Sequence, residues 1–155
     1  MEIRKAKKED LAGINSLLYQ VLEVHHKGRP DLFYGGVKKY TDSEILEILQ
    51  DPARPVFVAV EEGAVLGYAF CIFQQEKNSH VLTDVKTLYL DDLCVDETIR
   101  GKGVGKALFA YVKSFAKEED CYNLTLNVWA CNPSAMAFYE KCGLVPQKVY
   151  LETIL

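Results

Sequence analysis

Three clusters of residues in this chain have types and spacings suited to chemistry. The first is Arg100-Gly101-Lys102-Gly103-Val104-Gly105-Lys106, three alternating glycines among three cations. A helical pattern follows it, with Val104, Leu108, Tyr111, Val112 and Phe115 on one face. Glycines at a helix start let backbone N–H groups approach a ligand closely. Those groups have no partner inside the helix, and the helix dipole favours an anion there. The segment reads as a phosphate-binding turn. The alternative is a helix start with solvated lysines, at a cost of ~1 kcal/mol for each glycine inside the helix.

The second cluster is the acid pair Asp91-Asp92, in a strand that changes phase. Leu88 and Leu90 alternate with Tyr89 and Asp91, but the next apolar positions are Leu93 and Val95. A one-residue slip turns side chains to the wrong face unless an extra residue is accommodated. A β-bulge near Asp91-Asp92 does so, and leaves backbone groups free for a ligand. Taken alone, the strand also fits an ordinary irregular edge with two solvated acids.

Neither common nucleotide turn fits the glycines. A P-loop reading of Gly105-Lys106 requires a glycine where Arg100 stands and a hydroxyl where Ala107 stands. The dinucleotide fingerprint requires a small residue where Lys106 or Leu108 stands. The pattern that fits is Arg/Gln-x-x-Gly-x-Gly/Ala after a strand, here Arg100, Gly103 and Gly105. It resembles the acetyl-CoA-binding motif of the GNAT superfamily of N-acetyltransferases. The resemblance implies that the coenzyme A pyrophosphate sits on residues 100–106, contacting Arg100, Gly101, Lys102, Gly103, Val104, Gly105 and Lys106. It also implies that the pantetheine arm pairs with the bulged strand around Leu93, Cys94 and Val95.

The third cluster is Asn132-Pro133-Ser134-Ala135-Met136-Ala137-Phe138-Tyr139-Glu140-Lys141-Cys142-Gly143. It is similar to the superfamily helix Asn-x-x-Ala-x-x-Phe-Tyr-x-x-x-Gly, which adds Asn132, Ala135 and Phe138 to the expected cofactor contacts. The resemblance carries to Tyr139 the role of reaching the coenzyme A sulfur. Tyrosine, with an ordinary pKa of ~10, is protonated at neutral pH and can donate to a departing thiolate. Without the glycine turn, Tyr139 would read as a core aromatic.

Direct acetyl transfer requires a base for the amine and a donor for the developing oxyanion. Asp91 and Asp92 are the nearest acids, and a backbone N–H at the bulge can be the donor. Tyr89-Leu90-Asp91-Asp92-Leu93 is similar to the corresponding strand of spermidine/spermine N-acetyltransferases, in which a glutamate at the position of Asp91 is the candidate base. Aspartate is one methylene shorter, so Asp92 or a bridging water stays open as the base. Cys94 opens a ping-pong route through acetyl-cysteine, against which stands a packed, inert thiol.

The elements that must position these groups follow the chain. Glu2 to Ala6 reads as a strand, and Asp10 to Val24 as an amphipathic helix that Gly28 to Asp31 should close. Thr41-Asp42-Ser43-Glu44 has capping-box form ahead of a second helix. Val56–Val60 and Val65–Phe73 form a hairpin around Glu62-Gly63. The Leu88 strand, the glycine-turn helix to about Lys117, a strand at Leu124, Leu126 and Val128, and the Asn132 helix follow. Leu144 to Leu155 is expected to supply one or two final strands. The fold class is α/β. The resemblance specifies a GNAT-like mixed, mostly antiparallel sheet, splayed at the bulged strand and flanked by helices.

The 155 residues read as a single domain covering 1–155. A net charge of -4 argues against nonspecific nucleic-acid binding. No apolar run approaches ~20 residues and the N-terminus is charged, so neither a membrane span nor a signal peptide is expected. Five cysteines without C-x-x-C spacing suggest reduced thiols, a cytoplasmic setting and no metal. The resemblance implies a homodimer through the sheet or the C-terminal strands.

The resemblance implies that the loop after the first helix shapes the acceptor pocket, where His25, Asp31 and Tyr34 could bind or deprotonate an amine, each equally readable as an ordinary loop group. Acids at Asp91, Asp92, Asp96 and Glu97 suit a small cationic, polyamine-like amine. A peptide α-amine or protein lysine is the alternative acceptor, and a noncatalytic acetyl-CoA-binding regulatory module is the alternative of another class.

Overall fold

The computed structural model describes residues 1–155. In chain order its elements are β1 (Glu2–Lys5), α1 (Leu11–Gly28), α2 (Asp42–Gln50), β2 (Val56–Glu61), β3 (Ala64–Gln74), β4 (Thr87–Val95), α3 (Val104–Glu118), β5 (Asn123–Leu126) and α4 (Pro133–Lys141). The five strands form one sheet in sequence order. The first three junctions are antiparallel, and β4 pairs with β5 in parallel. A parallel pair requires a crossover, and α3 supplies it.

Val56–Val60 reads as an unbroken apolar run because β2 is buried on both faces. Val56 and Val58 point to α1 and α2, where Ile14, Leu17, Leu18, Ile45 and Ile48 meet Tyr68, Phe70 and Cys94. Phe57 points to the opposite layer, with Ala69, Cys71, Leu88, Leu90 and the α3 residues Phe109, Val112 and Ala116. The hairpin turns at Glu62 and Gly63, both at positive φ (50° and 81°), the geometry that follows the twist of paired strands. Thr41 caps α2 as its sequence indicates, exchanging hydrogen bonds with Glu44. No helix is long and apolar enough to cross a membrane.

The structure corrects three boundaries. First, α1 continues through His25 and His26 to Gly28, and its last turn closes on Arg29 N–H to the His25 carbonyl. Gly28 permits this because a Cβ there would meet Cys131 Sγ at 2.7 Å. Second, β5 ends at Leu126, before Val128, because β4 has already diverged from it. Third, no strand forms between Leu144 and Leu155. A strand needs an edge to pair with, and this segment runs out to the end of α1, where Glu152 meets Arg29.

Candidate active site

The phase change in β4 is a bulge of one residue. Phe70 pairs with Asp92 and Cys71 with Leu90, which leaves Asp91 unmatched on β3. Leu88, Leu90 and Leu93 therefore all face the α3 layer. Asp91 and Asp92 both turn toward the α1–α2 side. There Asp91 accepts from the Tyr40 hydroxyl at 2.5 Å and pairs with Lys39 at 2.9 Å. Asp92 accepts from the Tyr68 hydroxyl at 2.8 Å. The pairing of β4 with β5 stops at Leu90–Leu126, one residue before the bulge. From Asp91 to Val95, β4 has no neighbour on that side, so the sheet opens where the two carboxylates sit.

Asp92 is half-buried, and loss of hydration pushes its carboxyl up to about 6, against the opposing pull of the Tyr68 hydrogen bond. It can thus hold or release a proton near neutral pH. Asp91, by contrast, is already saturated by a cation and a phenol. Cys94 is buried in the α1 core with Sγ toward the Leu17 carbonyl at 3.5 Å, and burial pushes its thiol up to about 12. That is a packed thiol, not an activated nucleophile. Only its backbone, with that of Leu93 and Val95, borders the opening.

The glycine turn follows the short helical turn at Glu97–Ile99. Gly101 and Gly103 stand at φ +83° and +85°, and open space lies where a Cβ would be at either. The left-handed backbone disfavours any other residue there. The amides of Gly103, Val104, Gly105 and Lys106 have no backbone acceptor, since the first bond into α3 is Ala107 N–H to the Gly103 carbonyl. Gly105 is already inside α3, facing Val95 and the Phe138 ring. Arg100 folds back to the Val95 carbonyl at 3.2 Å, while Lys102 and Lys106 stand exposed.

The α4 start is built as its sequence indicates. Asn132 accepts from Ala135 N–H at 3.2 Å, and Pro133 occupies the first turn. Tyr139 packs edge-on against Phe109 and Phe138. Burial first, and then the negative charge at Asp92, holds its phenol above the ordinary range. Its hydroxyl has no protein partner, and no buried polar side-chain atom lacks one, so it is open to solvent.

On the acceptor side, sequence reasoning named some residues and missed others. His25 stacks with Phe33 (5.1 Å) and Trp129 (6.3 Å), and burial with the nearby Lys39 lowers its basicity. Asp31 instead pairs with Arg29, and Tyr34 stands in solvent. Asp96 caps the Glu97–Ile99 turn through Thr98 N–H. Of the four acids, Asp91 is thus paired with Lys39, Asp92 with Tyr68 and Asp96 with Thr98, while Glu97 is exposed. Tyr40, Lys39, Tyr68, Phe33 and Trp129 were not singled out. Tyr40 next to a capping box carried a weak local signal, whereas Tyr68 becomes relevant only through the register of β3 on β4.

The acetyltransferase (GNAT) family model matches residues 18–144, which contain the bulge, the turn and Tyr139. The chain belongs to the GNAT family. A probable glucosamine 6-phosphate N-acetyltransferase of Oryza sativa subsp. japonica is 30% identical over 110 residues, 71% of this chain but only 59% of that protein's length. A thialysine N-epsilon-acetyltransferase of Bos taurus is 27% identical over 151 residues, 91% of this chain and 82% of that protein. The crystal structure of a Bacillus halodurans protein, solved as a tetramutant, superposes with a TM-score of 0.95 at 32% identity over all of both chains.

GNAT acetyltransferases use acetyl-CoA, and the residues present fit it. Unpaired amides, two left-handed glycines with room above them and three flanking cations suit a pyrophosphate. The free side of β4 from Asp91 to Val95 suits an extended amide-bearing arm, which would pair there as a strand does.

Proposed function

We propose that this GNAT chain is an N-acetyltransferase that moves the acetyl group of acetyl-CoA directly to the primary amine of a small molecule. The observation that carries this reading is the setting of Asp92. It is a half-buried carboxyl near pH 6, held by one phenol, at the point where the sheet opens and within the electrostatic reach of Tyr139. When bound, acetyl-CoA supplies an acyl thioester. The chain's own residues do the rest. Amides 103–106 and the three cations hold the pyrophosphate. Asp92 accepts the proton that the amine loses as its nitrogen bonds the acyl carbon. An unpaired backbone N–H of β4 donates to the developing oxyanion. As the carbon–sulfur bond breaks, Tyr139 gives its hydroxyl proton to the departing thiolate, then regains one from solvent. Asp91, fixed by Tyr40 and Lys39, keeps the bulge in shape beside Asp92.

The acceptor we propose carries one ammonium at this point. Lys39 neutralises Asp91, so a single free carboxylate faces the opening. That speaks for a monoamine over a polyamine, and the relatives are named for an amino-sugar phosphate and a lysine analogue. The test is thiol release from acetyl-CoA across amino sugars and their phosphates, amino acids, polyamines and peptides. Release that depends on one small-amine class supports the reading. Tight acetyl-CoA binding without release on any amine would replace it with a regulatory binding module.

A further inference from the structure

Acetyl transfer leaves one cavity of the molecule unused. It lies at the end of the sheet where β2 begins and β3 finishes, between the two helical layers. Its volume is about 320 Å³, the size of a small-molecule site. Lys5 at the end of β1, Asp51 after α2, Arg54, Phe73 of β3, and Phe115 and Glu119 at the end of α3 form its walls. None of its lining residues belongs to the bulge, the glycine turn or α4.

The charges in these walls do not balance among themselves. The Asp51 carboxylate accepts from Ala53 N–H at 2.9 Å. Glu119 pairs with Lys86 at 3.6 Å, and Lys86 in turn lies over the Phe73 ring. Both acids are therefore taken. Neither the Lys5 ammonium nor the Arg54 guanidinium pairs with a carboxylate. Each lies near an aromatic ring instead, Lys5 5.9 Å from the centre of Phe115 and Arg54 5.7 Å from that of Tyr40. Arg54 is also half-buried, and a guanidinium drawn out of water gains most from a forked carboxylate. The chain supplies none here.

The loop that carries Arg54 is stiff. Pro52 and Pro55 flank it, and Arg54 N–H bonds the Asp51 carbonyl. The Ala53 and Pro55 carbonyls accept from Phe73 and Cys71 of β3, which pins the loop to the sheet. The half-buried Phe73 and Phe115 rings, 5.9 Å apart and tilted by 41°, form an apolar wall beside the two cations.

We propose that this cavity binds a small organic anion with a flat apolar body, an aryl carboxylate, and that its occupancy is felt at the active site. The carboxylate bonds Arg54 and Lys5, and the ring lies against Phe73 and Phe115. The link runs through Arg54. Its guanidinium lies over Tyr40, the Tyr40 hydroxyl bonds Asp91 at 2.5 Å, and Asp91 adjoins Asp92 in the bulge. An anion that holds Arg54 withdraws its charge from the Tyr40 phenol and so alters the phenol's bond to Asp91. The importance of that link for the reaction rests on the role proposed above for Asp92, whereas the site itself does not.

Amide NMR of the isotopically labelled full chain, titrated with benzoate, tests this. The amides of Lys5, Ala53, Arg54 and Phe73 are expected to move on one saturable curve, and those of Tyr40 and Asp91 with them. Benzamide keeps the ring without the charge, and acetate the charge without the ring. Each should bind about tenfold more weakly or worse, as should benzoate to Lys5→Gln and Arg54→Gln. Shifts that never saturate, or acetate or benzamide binding as tightly as benzoate, overturn the site. Benzoate shifts centred on amides 103–106 place the anion on the glycine turn instead and overturn it too. Saturation that leaves Tyr40 and Asp91 unmoved overturns the link to the active site. No readout here requires acetyl transfer, so a chain inactive on every amine would leave the test intact.

Discussion

Tyr68 donates its hydroxyl to Asp92 across 2.8 Å, from a position on β3 that is wholly buried. The bond is the main local force that keeps the Asp92 carboxylate ionised against its loss of hydration. A hydrogen bond to a charged group contributes about 1.5–3 kcal/mol, so Tyr68→Phe is expected to raise the Asp92 pKa by about 1–2 units. The acid limb of the pH–rate profile should move upward accordingly. A limb that stays in place would separate it from Asp92.

In the wild-type chain, acetyl transfer should rise with pH through about 6, because protonated Asp92 cannot accept a proton. Asp92→Asn should lower kcat about 10²–10³-fold, abolish that limb and leave acetyl-CoA affinity intact. Steady-state kinetics with a calorimetric titration of acetyl-CoA measure both.

Tyr139→Phe removes the proton donor while keeping the ring that packs on Phe109 and Phe138. Thiol release should slow about 10²-fold with little change in the KM for acetyl-CoA. Because burial and Asp92 raise this phenol, the wild-type basic limb attributable to it should lie above the ordinary tyrosine value. Stopped-flow detection of free thiol reads the step directly.

Gly103→Ala places a Cβ on a residue at φ +85°. The strain should cost about 1–2 kcal/mol of stability, visible as a lower Tm. The turn's altered amides should raise the KM for acetyl-CoA more than they change kcat.

Arg4 forks onto Asp10 at 2.7 and 2.9 Å, with Asp10 7% exposed at the start of α1. The guanidinium is the largest cause holding the Asp10 carboxyl below its usual range. A depressed carboxylate stabilises the fold above its unfolded pKa, and the contribution fades as pH falls through the lower folded value. Arg4→Ala should therefore cost about 3 kcal/mol at neutral pH and progressively less in acid. Urea titrations at several pH values give the comparison.

The parts of this site that lie close together in sequence were legible beforehand. The glycine turn, the Asn132 cap and the phase change after Leu90 each rest on local rules, and the structure has all three. What was not legible depends on pairing between distant segments. Tyr68 meets Asp92 only through the β3–β4 register, and Lys39 reaches Asp91 from a loop whose path no periodicity describes. Of the two adjacent β4 carboxylates, that ion pair leaves only Asp92 without a cation partner. The final segment misled in the other direction. Its residues are strand formers, but whether a strand forms depends on an available edge rather than on composition.

The bulge has a consequence for parity. Up to Leu90 the even-numbered residues of β4 face α3, whereas beyond Asp91 the odd-numbered ones do. Substituting Asp91 changes a side chain, but removing it would restore one phase to the whole strand. Leu93 would still face α3 and Cys94 the α1 core, but the two adjacent acids would be reduced to one and the irregularity at which β4 leaves β5 would vanish. The number of residues in this strand is therefore as much a determinant of the cleft as the identity of any one of them.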